Sequence, residues 1–174
     1  MQLGRRQRVR AGSGCAPADP NFGLFSGALN QNASANGRIL MPPMTAPCVI
    51  RDIQVVSLDS NIWEFWFFSN SLFATGDARE AWRGTVLMAA AGTQIGAAGL
   101  AHAQAINADI FYEDDDAATM TPPVPPTNPD PAWRAANGQT GTYLNVSLIN
   151  RSAGAKTNAA YFDVTFVCEP VLGW

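Results

Sequence analysis

Two stretches decide the fold: Thr142–Ile149, TYLNVSLI, and Ala160–Cys168, AYFDVTFVC. In the first, Leu144, Val146 and Leu148 alternate with Tyr143, Asn145 and Ser147; in the second, Phe162, Val164, Phe166 and Cys168 alternate with Tyr161, Asp163, Thr165 and Val167. Successive side chains of a strand point to opposite faces, so this alternation describes strands with one face in a core. Asn150–Asn158, NRSAGAKTN, reads as a polar, hairpin-like connection between them.

Toward the N-terminus, Cys48–Leu58 (CVIRDIQVVSL) is dense in β-branched residues and predicts a strand whose faces are ambiguous around Val55 and Val56. After a polar turn at Asp59–Asn61, Ile62–Phe68 (IWEFWFF) puts Trp63, Phe65 and Phe67 on one face and Ile62, Glu64, Trp66 and Phe68 on the other. A strand apolar on both sides is central in a sandwich or covered by another chain. Turns are predicted over Ser69–Gly84, with one helical turn at Asp77–Trp82. Thr85–Ala105 is rich in Ala and Gly; it predicts a short strand near Val86–Met88 and then loop with helical turns, because Gly92, Gly96 and Gly99 each cost about 1 kcal/mol inside a helix. Ile106–Glu113 predicts another strand. Pro122, Pro123, Pro125, Pro126, Pro129 and Pro131 forbid regular structure and mark a long Pro-rich loop at 114–141. The expectation is an all-β, antiparallel two-sheet sandwich of the jelly-roll kind, spanning 38–174.

Residues 1–37 lack sustained periodicity and are rich in Gly, Ala, Asn and Ser, which predicts an extended N-terminal arm. The arm carries a basic cluster, Arg5, Arg6, Arg8 and Arg10, and an apolar island, Phe22, Leu24, Phe25 and Leu29. Both sets are candidate partner-binding residues, and removing Met1–Asn36 is expected to leave a folded β domain.

The chain has 174 residues, 47% apolar and only 14% charged, with a net charge of −3. A negative chain lacks the clustered positive field that phosphate binding needs, so nucleic acid is not expected as the main partner. No apolar run of about 20 residues predicts a membrane span, and the Arg-bearing start does not read as a secretory leader. Cys15, Cys48 and Cys168 are odd in number and widely spaced, which predicts reduced thiols and no metal set. His102 is the single histidine, and the acidic run Glu113–Asp116 lacks the spaced ligands and turn glycine of a calcium loop. No catalytic residues, metal or cofactor are assigned, and the chain reads as a binding protein, not an enzyme.

The strand VIRDIQVVSLDSN, the aromatic strand IWEFWFFSN, and the closing pair YLNVSLINRSAG and AYFDVTFVCEP resemble, in their order, the capsid decoration or cement jelly rolls of tailed bacteriophages. The resemblance covers about Ile39–Pro170 and is one of pattern. It departs at the arginine-bearing arm and at the Pro-rich loop. It implies a homo-oligomeric virion protein, assembled in the host cytoplasm, that sits on the capsid exterior and bridges major capsid subunits. The alternative is a carbohydrate- or receptor-binding module of a phage tail or baseplate. Trp63, Trp66, Trp82, Trp133 and Trp174 are its candidate platforms, with Trp82, Trp133 and Trp174 expected at the surface and Trp63 in the core. A hydrolase on a β-sandwich is a third reading, opposed by the scarcity of acid–base groups.

Overall fold

The computed structural model describes residues 2–25, 28–42, 47–57, 62–69, 81–88, 93–95, 101–113, 143–157 and 162–173. Alternation and β-branching dominate these segments, and they form twelve strands. The first six are β1 (Gln2–Leu3), β2 (Gln7–Gly12), β3 (Ala28–Leu29), β4 (Ser34–Leu40), β5 (Cys48–Ser57) and β6 (Trp63–Phe68). The rest are β7 (Trp82–Met88), β8 (Thr93–Ile95), β9 (Ala101–Tyr112), β10 (Tyr143–Asn150), β11 (Lys156–Thr157) and β12 (Phe162–Gly173).

One sheet runs β1-β12-β5-β9-β8, with β2 also on β12, and a second runs β4-β10-β6-β7. The main pairs are antiparallel: β2 with β12, β4 with β10, β5 with β9 and β6 with β7. The chain is therefore one long antiparallel ribbon, closed at the β6–β7 end and wrapped so that successive rungs alternate between sheets. This is the jelly roll, in which two Greek keys build a sandwich. Short β3 and β11 pair with each other outside it.

The core lies between the sheets. Trp63, Phe65 and Phe67 of β6 are fully buried against β12, where Phe162 and Phe166 face them. Trp63 meets Phe162 edge-on at 5.3 Å, and Phe166 is held edge-on between Phe65 at 5.9 Å and Phe67 at 5.8 Å. Such contacts are worth about 0.5–1.5 kcal/mol each beyond burial, so this aromatic cluster ties the sheets together face to face. Leu144, Val146 and Leu148 complete one wall and Ile50, Ile53, Val55 and Val164 the other.

Residues expected as a detached arm are built into the roll. β2 is the outermost rung of the first sheet, with Val9 and Ala11 buried and Arg8 and Arg10 facing out. β4 spans the expected boundary at 37/38 and forms the edge of the second sheet. The alternation in QRVRAG is real but short, and Ala11 is small enough to hide it. In Ser34–Leu40, Gly37 points inward because the Phe25 ring occupies the space a side chain would take; a Cβ there would lie 2.7 Å from Cζ of Phe25.

Asn21 seals the two adjacent sheet edges. Its Nδ2 donates to the carbonyls of Arg10 at 3.1 Å and Leu40 at 2.9 Å, while its Oδ1 accepts from the Leu40 N–H at 2.7 Å. One buried carboxamide thus takes the place of a neighbouring strand for both β2 and β4. The chain also turns sharply at Gly12, whose φ of +120° suits glycine and whose Cβ would meet the Phe162 carbonyl at 2.1 Å.

Three further expectations change. Asn150–Asn158 does not make a hairpin, because β10 and β12 lie in different sheets; the segment crosses between them and contains β11. β9 begins at Ala101, inside the stretch expected to be loop, since pairing with β5 outweighs the weak strand preference of Ala and Gln. Trp82 opens β7; of the helical turn expected at Asp77–Trp82, Ala81 is helical and residues 77–80 lie outside the described residues. The Pro-rich loop at 114–141 and the acidic residues Asp114, Asp115 and Asp116 lie outside the described residues.

Candidate functional site: the outer faces of the two sheets

The outer face of the first sheet is charged, and a line of irregularities organises it. β12 shifts register between Val167 and Cys168, and β5 and β9 shift between Ile50 and Asp52. The β1–β2 edge breaks at the same level, over residues 4–6. At that level Arg51 is the extra residue of a β-bulge, which switches the inward set of β5 from Cys48 and Ile50 to Ile53, Val55 and Ser57. The ambiguity at Val55 and Val56 is resolved here: Val55 is inside. Asp109 of β9, on the same line, has a φ of 48°.

The bulge turns charged groups into a shallow depression of about 400 Å3 lined by Arg6, Arg51, Asp52, Asn107, Asp109 and Glu169. Glu169 accepts from Arg6 Nε at 2.8 Å on one oxygen and from Arg51 Nε at 2.6 Å on the other. Arg51 also donates to Asp109 at 2.6 Å, and Arg6 lies 4.0 Å from Asp52. The hydrogen bonds from Arg6 and then Arg51 hold the Glu169 carboxyl below its usual range, and Glu169 in turn raises the Arg6 guanidinium. The charges of the depression are thus engaged with one another. Solvent-exposed pairs of this kind add little stability, so the network chiefly gives partners to side chains that the bulge pushes outward.

The outer face of the second sheet is different. β6 sends out Glu64, Trp66 and Phe68, and β7 sends out Leu87, Thr85 and Trp82, paired in register as Glu64 with Leu87, Trp66 with Thr85 and Phe68 with Trp82. Glu64 is bound by Arg151. Trp82 and Leu87 are each 48% exposed, at the edge strand of the sheet. The Trp82 indole N–H donates to Thr85 Oγ1 at 3.1 Å, which lays the ring along the strand. The Trp66 indole N–H is buried and has no hydrogen-bond partner. This face therefore pairs a largely covered aromatic with a half-exposed apolar strip.

The residues assigned to the arm fall into separate places. Phe25 and Leu29 are core residues, Phe25 standing edge-on to Phe162 at 6.1 Å, so neither is available to a partner. They read as an island because what they meet is remote in sequence, Gly37 and Phe162 for Phe25, and Lys156 and Asn150 for Leu29. Leu24 packs partly buried against the same core. Phe22 is 45% exposed in the turn beside Asn21. Arg6 and Arg10 are taken up within the domain, Arg6 by Glu169 and Arg10 by the nearly buried Asp163. Arg5 and Arg8 are exposed, and no ion pair involves them among the described residues.

Of the described tryptophans, Trp63 is core, Trp66 is partly buried and Trp82 is exposed; Trp133 and Trp174 lie outside the described residues. Leu87 was not singled out from the sequence; the signal was its alternation with Val86 and Met88 beside IWEFWFF. Cys15, Cys48 and Cys168 are free and buried. Cys48 is hydrogen-bonded to Cys168, and this contact together with burial pushes the Cys48 thiol far above its usual range. Buried thiols of this kind are inert. Among the described residues no group of three or more His, Cys, Asp or Glu side chains is placed to hold a metal ion. Comparison with protein-family models, with curated proteins and with solved structures gives no match to this chain.

Proposed function

We propose that this chain is a structural virion protein that decorates a bacteriophage capsid from the outside and stabilises it by bridging major capsid subunits. The observation that carries the reading is the edge strand of the second sheet, where Trp82 and Leu87 stand half exposed next to the partly covered Trp66 and the buried Phe68. Clustered large apolar side chains at a surface mark contact with other chains, and aromatics are the side chains most enriched in such contacts. The low charge of the sequence and the self-paired charges of the first sheet support the same reading. Fold alone does not carry it, because jelly rolls serve capsid, lectin and enzyme families alike.

A second reading, carbohydrate or receptor binding, rests on Trp82, whose ring face is presented by its hydrogen bond to Thr85. The two are separated by adding the purified protein to undecorated shells and measuring co-sedimentation and the temperature at which the shells rupture. Saturable binding with a raised rupture temperature supports decoration. No binding to shells, with retention on immobilised glycans that Trp82→Ala abolishes, overturns it in favour of the second reading.

A further inference from the structure

We propose that β7 is a self-association edge: two copies pair their β7 strands antiparallel about a two-fold axis at Val86, fusing their second sheets into one continuous sheet. The inference rests on reading the Trp82–Leu87 strip as a protein contact, and it names a second copy as the occupant.

The two ends of the second sheet are unequal. At one end, β4 is sealed at Leu40 by the Asn21 carboxamide. At the other, β7 is the last strand, and among the described residues nothing pairs with its far side. Natural edges are guarded by charge, proline or bulges. The one bulge of β7 lies at Arg83, where Phe67 pairs with Gly84 and Phe68 with Trp82. The remainder, Gly84–Met88, is regular, holds no charged residue and no proline, and can accept a neighbour.

This segment is complementary to itself. An axis at Val86 sets Val86 against its own copy, Thr85 against Leu87 of the other chain, and Gly84 against Met88 of the other chain. Each unlike pair joins a small residue to a large one, so the strands approach closely on both faces. Thr85 and Leu87 point outward, as does Trp82, whose indole is fastened to Thr85. The ring therefore lies where Leu87 of the second copy arrives. The half-exposed side chains of each copy cover those of the other, as a two-fold contact requires: one patch, used twice. No like charges meet across the axis within this segment.

The test uses the full chain without shells, so it is independent of capsid binding. Sedimentation equilibrium is run on the wild type, on Thr85→Lys with Leu87→Lys, on Thr85→Glu with Leu87→Glu, and on an equimolar mixture of the two variants. The expected result is a dimer for the wild type, monomers for each variant alone, and a restored dimer in the mixture, where the lysines introduced on one chain face the glutamates introduced on the other. Amide exchange of the wild type supplies a second readout that does not depend on variants folding: β7 amides should gain protection as concentration rises. A monomeric wild type, variants that stay dimeric, or β7 exchange independent of concentration overturns the inference. A monomer that still saturates shells would leave the decoration reading standing without it, and a β7 dimer that ignores shells would do the reverse.

Discussion

Replacing Asn21 by alanine should loosen the closed side of the roll more than any surface contact on the chain. The carboxamide makes three hydrogen bonds, two donated to the Arg10 and Leu40 carbonyls and one accepted from the Leu40 N–H. Asn21→Ala orphans that N–H, at about 1–3 kcal/mol, and removes a donor from each carbonyl, at roughly 0.5–1.5 kcal/mol apiece. Leu40 is only partly buried, so water recovers some of this, and the net expectation is a loss of about 3 kcal/mol. Against a total stability of about 5–15 kcal/mol and a urea m-value of roughly 2–3 kcal/mol/M, the unfolding midpoint should fall by about 1–1.5 M. Asn21→Asp sharpens the test. At neutral pH it sets a carboxylate oxygen against two carbonyls, which raises the folded-state pKa of the new acid above the unfolded value of about 3.9. The deficit should therefore exceed that of alanine at neutral pH and shrink as pH falls through the raised value, where a protonated acid again donates one hydrogen bond. A loss under about 1 kcal/mol for alanine, a typical surface outcome, or equal losses for both variants at every pH would refute the clamp.

Deleting Met1–Asn36 should give an unfolded or insoluble product, because it removes β2, the core residues Phe25 and Leu29 and the start of β4, and so exposes β12 and one end of β10; a soluble fragment with β-type circular dichroism would show that these parts are dispensable. Glu169 is held below the usual glutamate range by Arg6 and Arg51, so its contribution to stability is present above the unfolded value of about 4.3 and is lost as pH falls through the depressed folded value. Carboxyl chemical shifts followed by NMR should show Arg51→Gln moving the Glu169 midpoint up, and an unmoved midpoint would dismiss the pairing. Cys48 and Cys168 should resist a thiol reagent at pH 8 in the native chain and react once urea unfolds it; rapid native labelling would contradict their burial.

The elements legible in the sequence were those with strict alternation of large side chains. Leu144, Val146 and Leu148, and Phe162, Val164 and Phe166, occupy the core faces that their spacing implied. Trp63, Phe65 and Phe67 do the same, and the antiparallel two-sheet jelly roll follows from such strands. What stayed hidden depended on partners distant in sequence. Val9 and Ala11 give too short and small an apolar stripe to announce β2, and only pairing with β12 makes it a strand. Gly37 fell at the end of the expected arm, although it lies within β4, where Phe25, twelve residues earlier, fills the place of its side chain. Phe25 and Leu29 read as adhesive because an apolar residue without local periodicity can face a partner or its own core, and composition does not distinguish these. The candidate contact strip was half visible: Trp82 stood out by type, whereas Leu87 acquires meaning from its register opposite Glu64 and its place on the edge strand.

The pairing of β2 with β12 also dictates a timetable for synthesis. β2 is synthesised well before β12, and until Phe162–Cys168 leaves the ribosome, Val9 and Ala11 lack the strand they pair with. Sequence-distant pairings of this sort slow folding to milliseconds or seconds and leave unpaired edges in the meantime. The arginines at 5, 6, 8 and 10 give that unpaired segment a run of like charge, and charge of this kind disfavours pairing of an open strand with its own copies. When β12 arrives, Asp163 and Glu169 come with it and capture Arg10 and Arg6. Two members of the cluster thus exchange mutual repulsion for attraction to β12 once the strands pair.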